Sequence, residues 1–373
     1  MMLHRLLLLA LAIPLLLSPS PAACGRARAP QPTTLSASEF GRLINGLSEE
    51  GGYFWSNNFI SNETSYLHAL QALDAMRLRG GIYIGVGPNQ NFTYIAQIQP
   101  RMAFIVDVRR QNMLEHLLFK LLTEKAENRL DYLSFLTGRP IHGPPHARDI
   151  SLVEIVEIVD NSPPDPAFAR QLLQEMTLTL RGWPDLNLSS SDLQDLEHIY
   201  SEFTRQGLDI KYDSWRSFFF PTLKEFLLET DLEGVQRNWL ARDESYQFVR
   251  SMQRSNLIVP VVGDFSGNGA FRRLGRFLRG NGDTVSAFYV SNVEFYLFRQ
   301  RKWSQFVDNV KQLPIDDRSS FIRAYANLHR PHPQMVGDHI TVSLVQNIQT
   351  FLDNAEEGRY RSLWDVVTLD YEH

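Results

Sequence analysis

The residues best suited to chemistry are a glycine turn and a few acids and amides spaced around it. Gly85-Val86-Gly87-Pro88 overlaps the end of a short apolar run, Ile82 to Val86. Small residues there let the backbone approach a ligand closely, and a helix that follows offers unpaired N–H groups. Asp107 ends the next apolar run, about 20 residues on, where a carboxylate can accept hydrogen bonds from ribose hydroxyls. This combination suits a nucleoside; the alternative is a tight turn and a strand-end aspartate that caps the next helix.

Asp264 and Asn292 each follow a later apolar run, so both are expected on the carboxyl edge of the same sheet, where open α/β folds bind ligands. Asn62 and Glu63 could cover that edge as substrate or lid residues. Helix capping for Asn62 and Glu63, and turn formation for Asp264, are the alternatives. His142 and His146 flank Gly-Pro-Pro, and His329, His332 and His339 sit close to Asp338, but neither spacing matches a helical zinc motif and no metal is expected. No Gly-x-Ser-x-Gly elbow is present, which argues against an α/β-hydrolase. Arg272, Arg273, Arg276 and Arg279 form a basic helix face, read as solvated surface or as a contact for an anionic partner or lipid headgroups. No residue is singled out as catalytic.

The elements that must position these residues follow from periodicity and punctuation. Residues 39–79 read as mainly helical after an aromatic turn, Gly51-Gly52-Tyr53-Phe54-Trp55, with Tyr66, Leu70 and Leu73 at helical spacing. Gly80-Gly81 breaks the chain before a strand at Ile82 to Val86, a helix begins near Asn89, and Met102 to Val108 is a second buried strand. This is a βαβ unit, with an expected right-handed connection. Met113 to Leu136 is a long helix or helix pair, and a large helical insertion fills about 138–250, with a strand near Leu208 to Tyr212. Strands resume at Leu257 to Gly263 and Thr284 to Val290, with a helix from Ala270 to Arg279 between them. The chain past Leu313 carries a late strand at Ile340 to Leu344. The fold class is therefore α/β: a Rossmann-like, mostly parallel sheet flanked by helices, in a single domain over 39–373.

The chain has 373 residues, a net charge of −5 and 43% hydrophobic residues, an ordinary globular composition. A mildly acidic balance gives no broad surface for nucleic acid, and none is expected as a partner. Leu6 to Leu17 is apolar, follows His4 and Arg5 and is too short to span a bilayer; residues 1–23 read as a signal peptide. Residues 24–38 read as a flexible tether. Cys24, the one cysteine, stands at the expected cut, as a lipidation site or as a free thiol in a removed peptide. Export is expected, to a bacterial cell envelope or as a secreted protein, with the membrane reached only through a lipid on Cys24.

Ile82 to Pro88 (IYIGVGP) with Ile105 to Asn112 (IVDVRRQN) resembles the first βαβ unit of class I S-adenosylmethionine-dependent methyltransferases. With residues 51–70, 261–279 and 287–298, it is also similar to a group of uncharacterised bacterial proteins expected to share that core. The resemblance covers roughly 51–137 and 256–300. It implies S-adenosylmethionine as cofactor, with Gly85 and Gly87 at its methionine end, Asp107 on the ribose, and Asn91 and Asp264 completing the set. This chain departs from the pattern at Tyr83, where an acid is usual, and at Asn89, where a small residue is. It has Asp264-Phe265-Ser266-Gly267 in place of the Asn/Asp-Pro-Pro-aromatic motif of aminomethylating members. The implied functions are a methyltransferase-like protein binding a nucleoside, acceptor open, or a non-catalytic binding or scaffold protein of the envelope on a degenerate form of that fold.

Overall fold

Apolar runs rich in β-branched and aromatic residues favour strands, and four of them lie side by side in one sheet. In the computed structural model, which describes residues 34–141, 143, 148–212, 219–327, 330–337 and 339–371, these are Ile82–Gly85 (β1), Met102–Asp107 (β2), Ile258–Val262 (β3) and Val285–Ser291 (β4). Ile315–Ala326 (β5) and Thr341–Asn347 (β6) complete it in the order β3-β2-β1-β4-β5-β6. All neighbours are parallel except β6, which runs antiparallel to β5. β1, β2 and the edge strand β3 are buried on both faces, as a parallel sheet covered by helices requires. The class is α/β, with a mostly parallel sheet flanked by helices.

The helices are Ala37–Leu47 (α1), Ala69–Ala75 (α2), Gln90–Ile98 (α3), Arg110–Lys125 (α4), Arg129–Leu136 (α5), Leu152–Asn161 (α6), Pro166–Arg181 (α7) and Ser190–Gln206 (α8). They continue with Leu223–Leu228 (α9), Asp243–Arg254 (α10), Ala270–Asn281 (α11), Val293–Arg299 (α12), Trp303–Val310 (α13), Ile348–Glu356 (α14) and Leu363–Thr368 (α15). Several start on reciprocal capping boxes, Ser36 with Glu39, Ser151 with Glu154 and Thr222 with Glu225, each satisfying N–H groups that the first turn leaves open. The capping box at Ser36 starts α1 inside the stretch read as a tether, and Leu35 N–H bonds to Ser255 O. The 113–136 helix is a pair, α4 and α5, restarted by the Asn128 cap. In place of the strand expected at 208–212 there is a single turn, Gly207–Asp209, and an isolated bridge between Lys211 and Thr222. No neighbouring strand extends that pairing among the described residues. α10 closes the helical stretch against α3 and α4.

The signal peptide, Cys24, most of the tether, His142, His146, His329 and Asp338 lie outside the described residues. Among the described residues, no helix is long and apolar enough to cross a membrane.

β5 was not anticipated from the sequence, because its start is polar and its centre is charged. Residues Asp316 to Ser319 loop out against β4, so that Val285 pairs with Ile315 but Ala287 with Ser320. Ser319 Oγ closes this bulge by donating to Val285 O at 2.6 Å. Arg323, 1% exposed, then pairs bidentately with Glu294 of α12 at 2.9 and 3.2 Å. A buried guanidinium with its carboxylate satisfied is tolerated; one left alone is costly. Glu294→Leu should therefore lower stability by about 3–5 kcal/mol in urea denaturation, and adding Arg323→Met should restore most of it. A double variant no more stable than the single would overturn this account of β5.

Candidate ligand site

The strand order fixes where a ligand can sit. From β1 the sheet grows one way through β2 and β3, then returns to add β4 and β5 on the other side. The crevice at the carboxyl ends of β1 and β4 is the topological switch point, the usual ligand position in open α/β sheets. A cavity of about 300 Å³ lies there, lined by Gly87 and Pro88 after β1, Asp107 and Arg109 at β2, Asp264 after β3, and Tyr289, Ser291 and Asn292 at β4.

The glycine turn is held from behind. Asn91 Nδ2 approaches the carbonyls of Val86 (2.9 Å), Gly87 (3.2 Å) and Pro88 (2.7 Å), while its Oδ1 accepts from Tyr83 OH at 2.9 Å. A Cβ at Gly85 would collide with Asn91 Oδ1 and the Tyr83 ring, so this clamp requires glycine. Gly87 has φ +75°, a conformation that glycine adopts at no steric cost. His116 Nε2 lies 2.8 Å from Gly87 O. A carbonyl only accepts, so Nε2 carries the proton, and burial pushes this imidazole down to about 4, keeping it neutral. The turn's carbonyls thus face the protein. α3 starts without a side-chain cap, just past the turn residues Val86, Gly87 and Pro88 that line the cavity.

Asp107 and Arg109 form a closed unit. Asp107 Oδ1 accepts from Arg109 N–H (2.8 Å) and Nε (3.2 Å), and Oδ2 accepts from the guanidinium at 3.1 Å. A carboxylate has about four acceptor positions, so Oδ2 keeps capacity toward the cavity. Asp264 makes its own turn, accepting from Ser266 N–H (2.8 Å) and Oγ (2.7 Å), with Lys302 Nζ at 3.3 Å from the other oxygen. Burial pulls its pKa up, but the Ser266 bonds and the lysine outweigh it and hold Asp264 below the usual range.

The wall over these groups is a strap, residues 48–65, that crosses the carboxyl edge strand by strand. Glu49 N–H bonds to Val262 O of β3, Gly52 N–H to Val108 O after β2, and Thr64 N–H to Thr341 of β6. Glu49 also caps the turn after β3, accepting from Asp264 N–H at 2.7 Å and Ala270 N–H at 3.1 Å. Glu63, 1% exposed, anchors the strap's far end: it accepts from Gln90 (2.7 Å), Tyr289 (2.7 Å) and Ser291 (2.5 Å). Burial raises its pKa, against the effect of those three donors. Ser291 holds φ +52° where the β4–β5 register shifts; left-handed serine is uncommon, and here the bend aims its hydroxyl at Glu63.

Of the residues singled out by sequence, Gly87, Asp107, Asp264, Asn62 and Asn292 line one cavity. Gly85 and Asn91 stand behind it as the turn's clamp, and Glu63 lies buried beneath the wall. Arg109, Glu49, Lys302 and the rim residues Tyr53 and Phe54 were not foreseen. Arg109 had a local signal, two positions after Asp107; the partners of Glu49 and Lys302 come from distant segments. The basic helix face is divided: Arg273 bonds to Leu47 O and Ser48 O, Arg279 to Gln312 O, and Arg272 and Arg276 are exposed. His332 is buried, with Nε2 at 2.8 Å from Val367 O, and His339 packs on His68. Among the described residues, no group of three or more His, Cys, Asp or Glu could hold a metal ion.

A family model described as Domain of unknown function (DUF7790) matches residues 58–139 and 197–370, well over half of the chain. The chain belongs to this family. The matched segments contain the glycine turn, Asn62, Glu63, Asp107, Asp264 and Asn292, and flank α6 and α7. No curated protein matches the chain.

Within the DUF7790 segment, α4 places one further ionisable group behind the site. Glu115 is fully buried, and neither carboxyl oxygen has a hydrogen-bond partner among the described residues. Burial raises its pKa well above 4.5; Arg109 opposes this and Asp107 adds to it. With the folded pKa raised, the stability tied to the neutral acid is complete below about pH 4.5 and is lost as pH rises toward the folded value. Glu115→Gln should match the wild type near pH 4 and gain on it as pH rises, by up to about 1.4 kcal/mol per unit. Denaturation curves from pH 4 to 8 measure this, and a difference that stays flat with pH would overturn it.

Proposed function

We propose that the cavity at the β1–β4 switch point binds S-adenosylmethionine or a related nucleoside, and that the chain is a methyltransferase-like protein on a Rossmann-like core. The observation that carries this reading is the convergence on one cavity of the Gly87 turn and Asp107, from the ends of adjacent parallel strands. The residues fit such a ligand. Gly87 has no side chain to exclude it and a φ that favours glycine. Asp107 keeps an acceptor position on Oδ2 for a ribose hydroxyl, and about 300 Å³ is at the lower end of ligand-sized pockets. Tyr53 and Phe54 lie on the rim and would shield the ligand from water. When bound, S-adenosylmethionine supplies an electrophilic methyl group; the chain's own residues hold and orient.

A second reading, ligand binding without chemistry, is favoured by one observation. The two carboxylates that line the cavity are both engaged, Asp107 by Arg109 and Asp264 by Ser266 and Lys302. Neither is left as a general base. Methyl transfer needs chiefly proximity and orientation, so the first reading stands and assigns no catalytic acid or base.

Calorimetric titration with S-adenosylmethionine and S-adenosylhomocysteine tests the nucleoside binding that both readings share. Micromolar binding is expected, weakened at least tenfold, about 1.4 kcal/mol, by Asp107→Asn. Asparagine leaves Arg109 an acceptor, whereas alanine would strand a buried guanidinium, so the melting temperature is read alongside. No binding at millimolar ligand would overturn the nucleoside reading, and an unchanged affinity in a folded Asp107→Asn would overturn the ribose contact.

A further inference from the structure

A second cavity, of about 520 Å³, adjoins the first and shares Asn62, Asn292 and Tyr296 with it. Its chemistry is different. The walls are aromatic, with Trp55, Tyr212, Phe220, Phe295 and Trp364 around the ends of β5 and β6. Two arginines, Arg299 and Arg330, are its charged lining residues; no aspartate or glutamate lines it among the described residues.

The two guanidinium groups are placed by packing, and neither is in an ion pair among the described residues. Arg330 lies over the Trp364 ring, 3.5 Å from its centroid, and Arg299 over Phe295 at 5.3 Å. Tyr325 OH donates to the Arg330 carbonyl at 2.9 Å, which fixes the backbone that carries the stack. A guanidinium stacked by its face keeps its N–H edges for a carboxylate, which it can grip with two parallel bonds. Both arginines are exposed, so the cations stand at the rim while the apolar surface lies within.

We propose that this second cavity binds a small carboxylic acid with a planar aromatic body, the ring system between the aromatic walls and the carboxylate on Arg330 and Arg299. Aromatic walls favour a planar body, since offset and edge contacts between rings add to plain burial. A positive rim that no aspartate or glutamate opposes among the described lining residues selects an anion. The inference goes beyond the nucleoside reading and does not depend on it.

The test is calorimetric titration of the full-length protein with three probes: 2-naphthoate, its neutral counterpart 2-naphthylmethanol, and decanoate. Naphthoate should bind in the micromolar range, with the alcohol and decanoate each at least tenfold weaker. Arg330→Gln, at an exposed position, should remove most of the preference for acid over alcohol and leave the alcohol's affinity unchanged. Ala326→Trp, which puts a bulky ring at a position that lines the cavity, should abolish naphthoate binding. Equal binding of acid and alcohol would overturn the anion site. Decanoate binding as tightly as naphthoate would overturn the aromatic body, and no binding of any probe at millimolar concentration would overturn the site. Nucleoside titration is read separately, so loss of one result leaves the other standing.

Discussion

A buried carboxylate with no cation beside it among the described residues sits under the carboxyl edge of the sheet, and the wall of the cavity there is held through it. Glu63 has no ion pair among the described residues; its oxygens are satisfied by an amide, a phenol and a serine hydroxyl. Buried groups of this kind are costly when half-satisfied and rigid when complete. Here the donors come from α3 and β4, the two elements that flank the switch point. The strap can cross the edge at one height only, because displacing it would strip Glu63 of all three partners at once. The left-handed serine at the end of β4 is part of the same constraint, since an extended Ser291 would aim its hydroxyl elsewhere.

The network continues away from the cavity. Gln90 also donates to Tyr94 OH at 3.2 Å, Tyr94 OH donates to Tyr66 O at 2.9 Å, and Tyr66 OH donates to Phe226 O at 3.0 Å. The Tyr66 ring stacks on Phe226 with centroids 4.1 Å apart. The hydroxyls of Tyr66 and Tyr94 are thus bonded inside the core, as burial demands. The sequence runs from the strap, through α3, to α9 in the helical stretch between β2 and β3. It gives that stretch a structural part in the site even though it contributes no strand.

How much of this could be read from sequence depended on the range of the forces involved. β1, β2, β3 and β4 were legible because a strand buried on both faces must be nearly uniform in apolar character, and β6 was legible as a late apolar run. The glycine turn was legible because φ and close approach are local demands. β5 was hidden: its bulge is polar, and Arg323 belongs in the core only because Glu294, from a different element, meets it there. Asp107 was found, but its first partner is Arg109 two residues on, so spacing located the group without revealing how it is engaged. Glu63 was noticed as a lid or cap residue; its burial depends on Tyr289 and Ser291, more than 220 residues away, which no local pattern encodes. The same holds for Glu49, whose capping of the β3 turn joins the strap to α11.

The difference between the two cavities follows from the sheet's order. Around β1 to β4, parallel strands end together, and each end is a place where backbone groups leave the ladder and need partners. Asp107, Asp264 and Glu49 gather there because polar side chains supply those partners, so the first cavity has the more polar lining of the two. β5 continues past that edge and pairs with an antiparallel β6 in an unbroken ladder from Ser320 to Ala326. Its backbone there is already satisfied, and nothing requires polar side chains along the adjoining surface. Aromatic residues from the strap, α12 and α15 can cover it instead, and the charge of its described lining lies on two arginines, each over an aromatic ring. A more polar crevice and a more apolar one, meeting at Asn62, Asn292 and Tyr296, are thus what an edge made half of parallel strand ends and half of a continuing antiparallel pair produces.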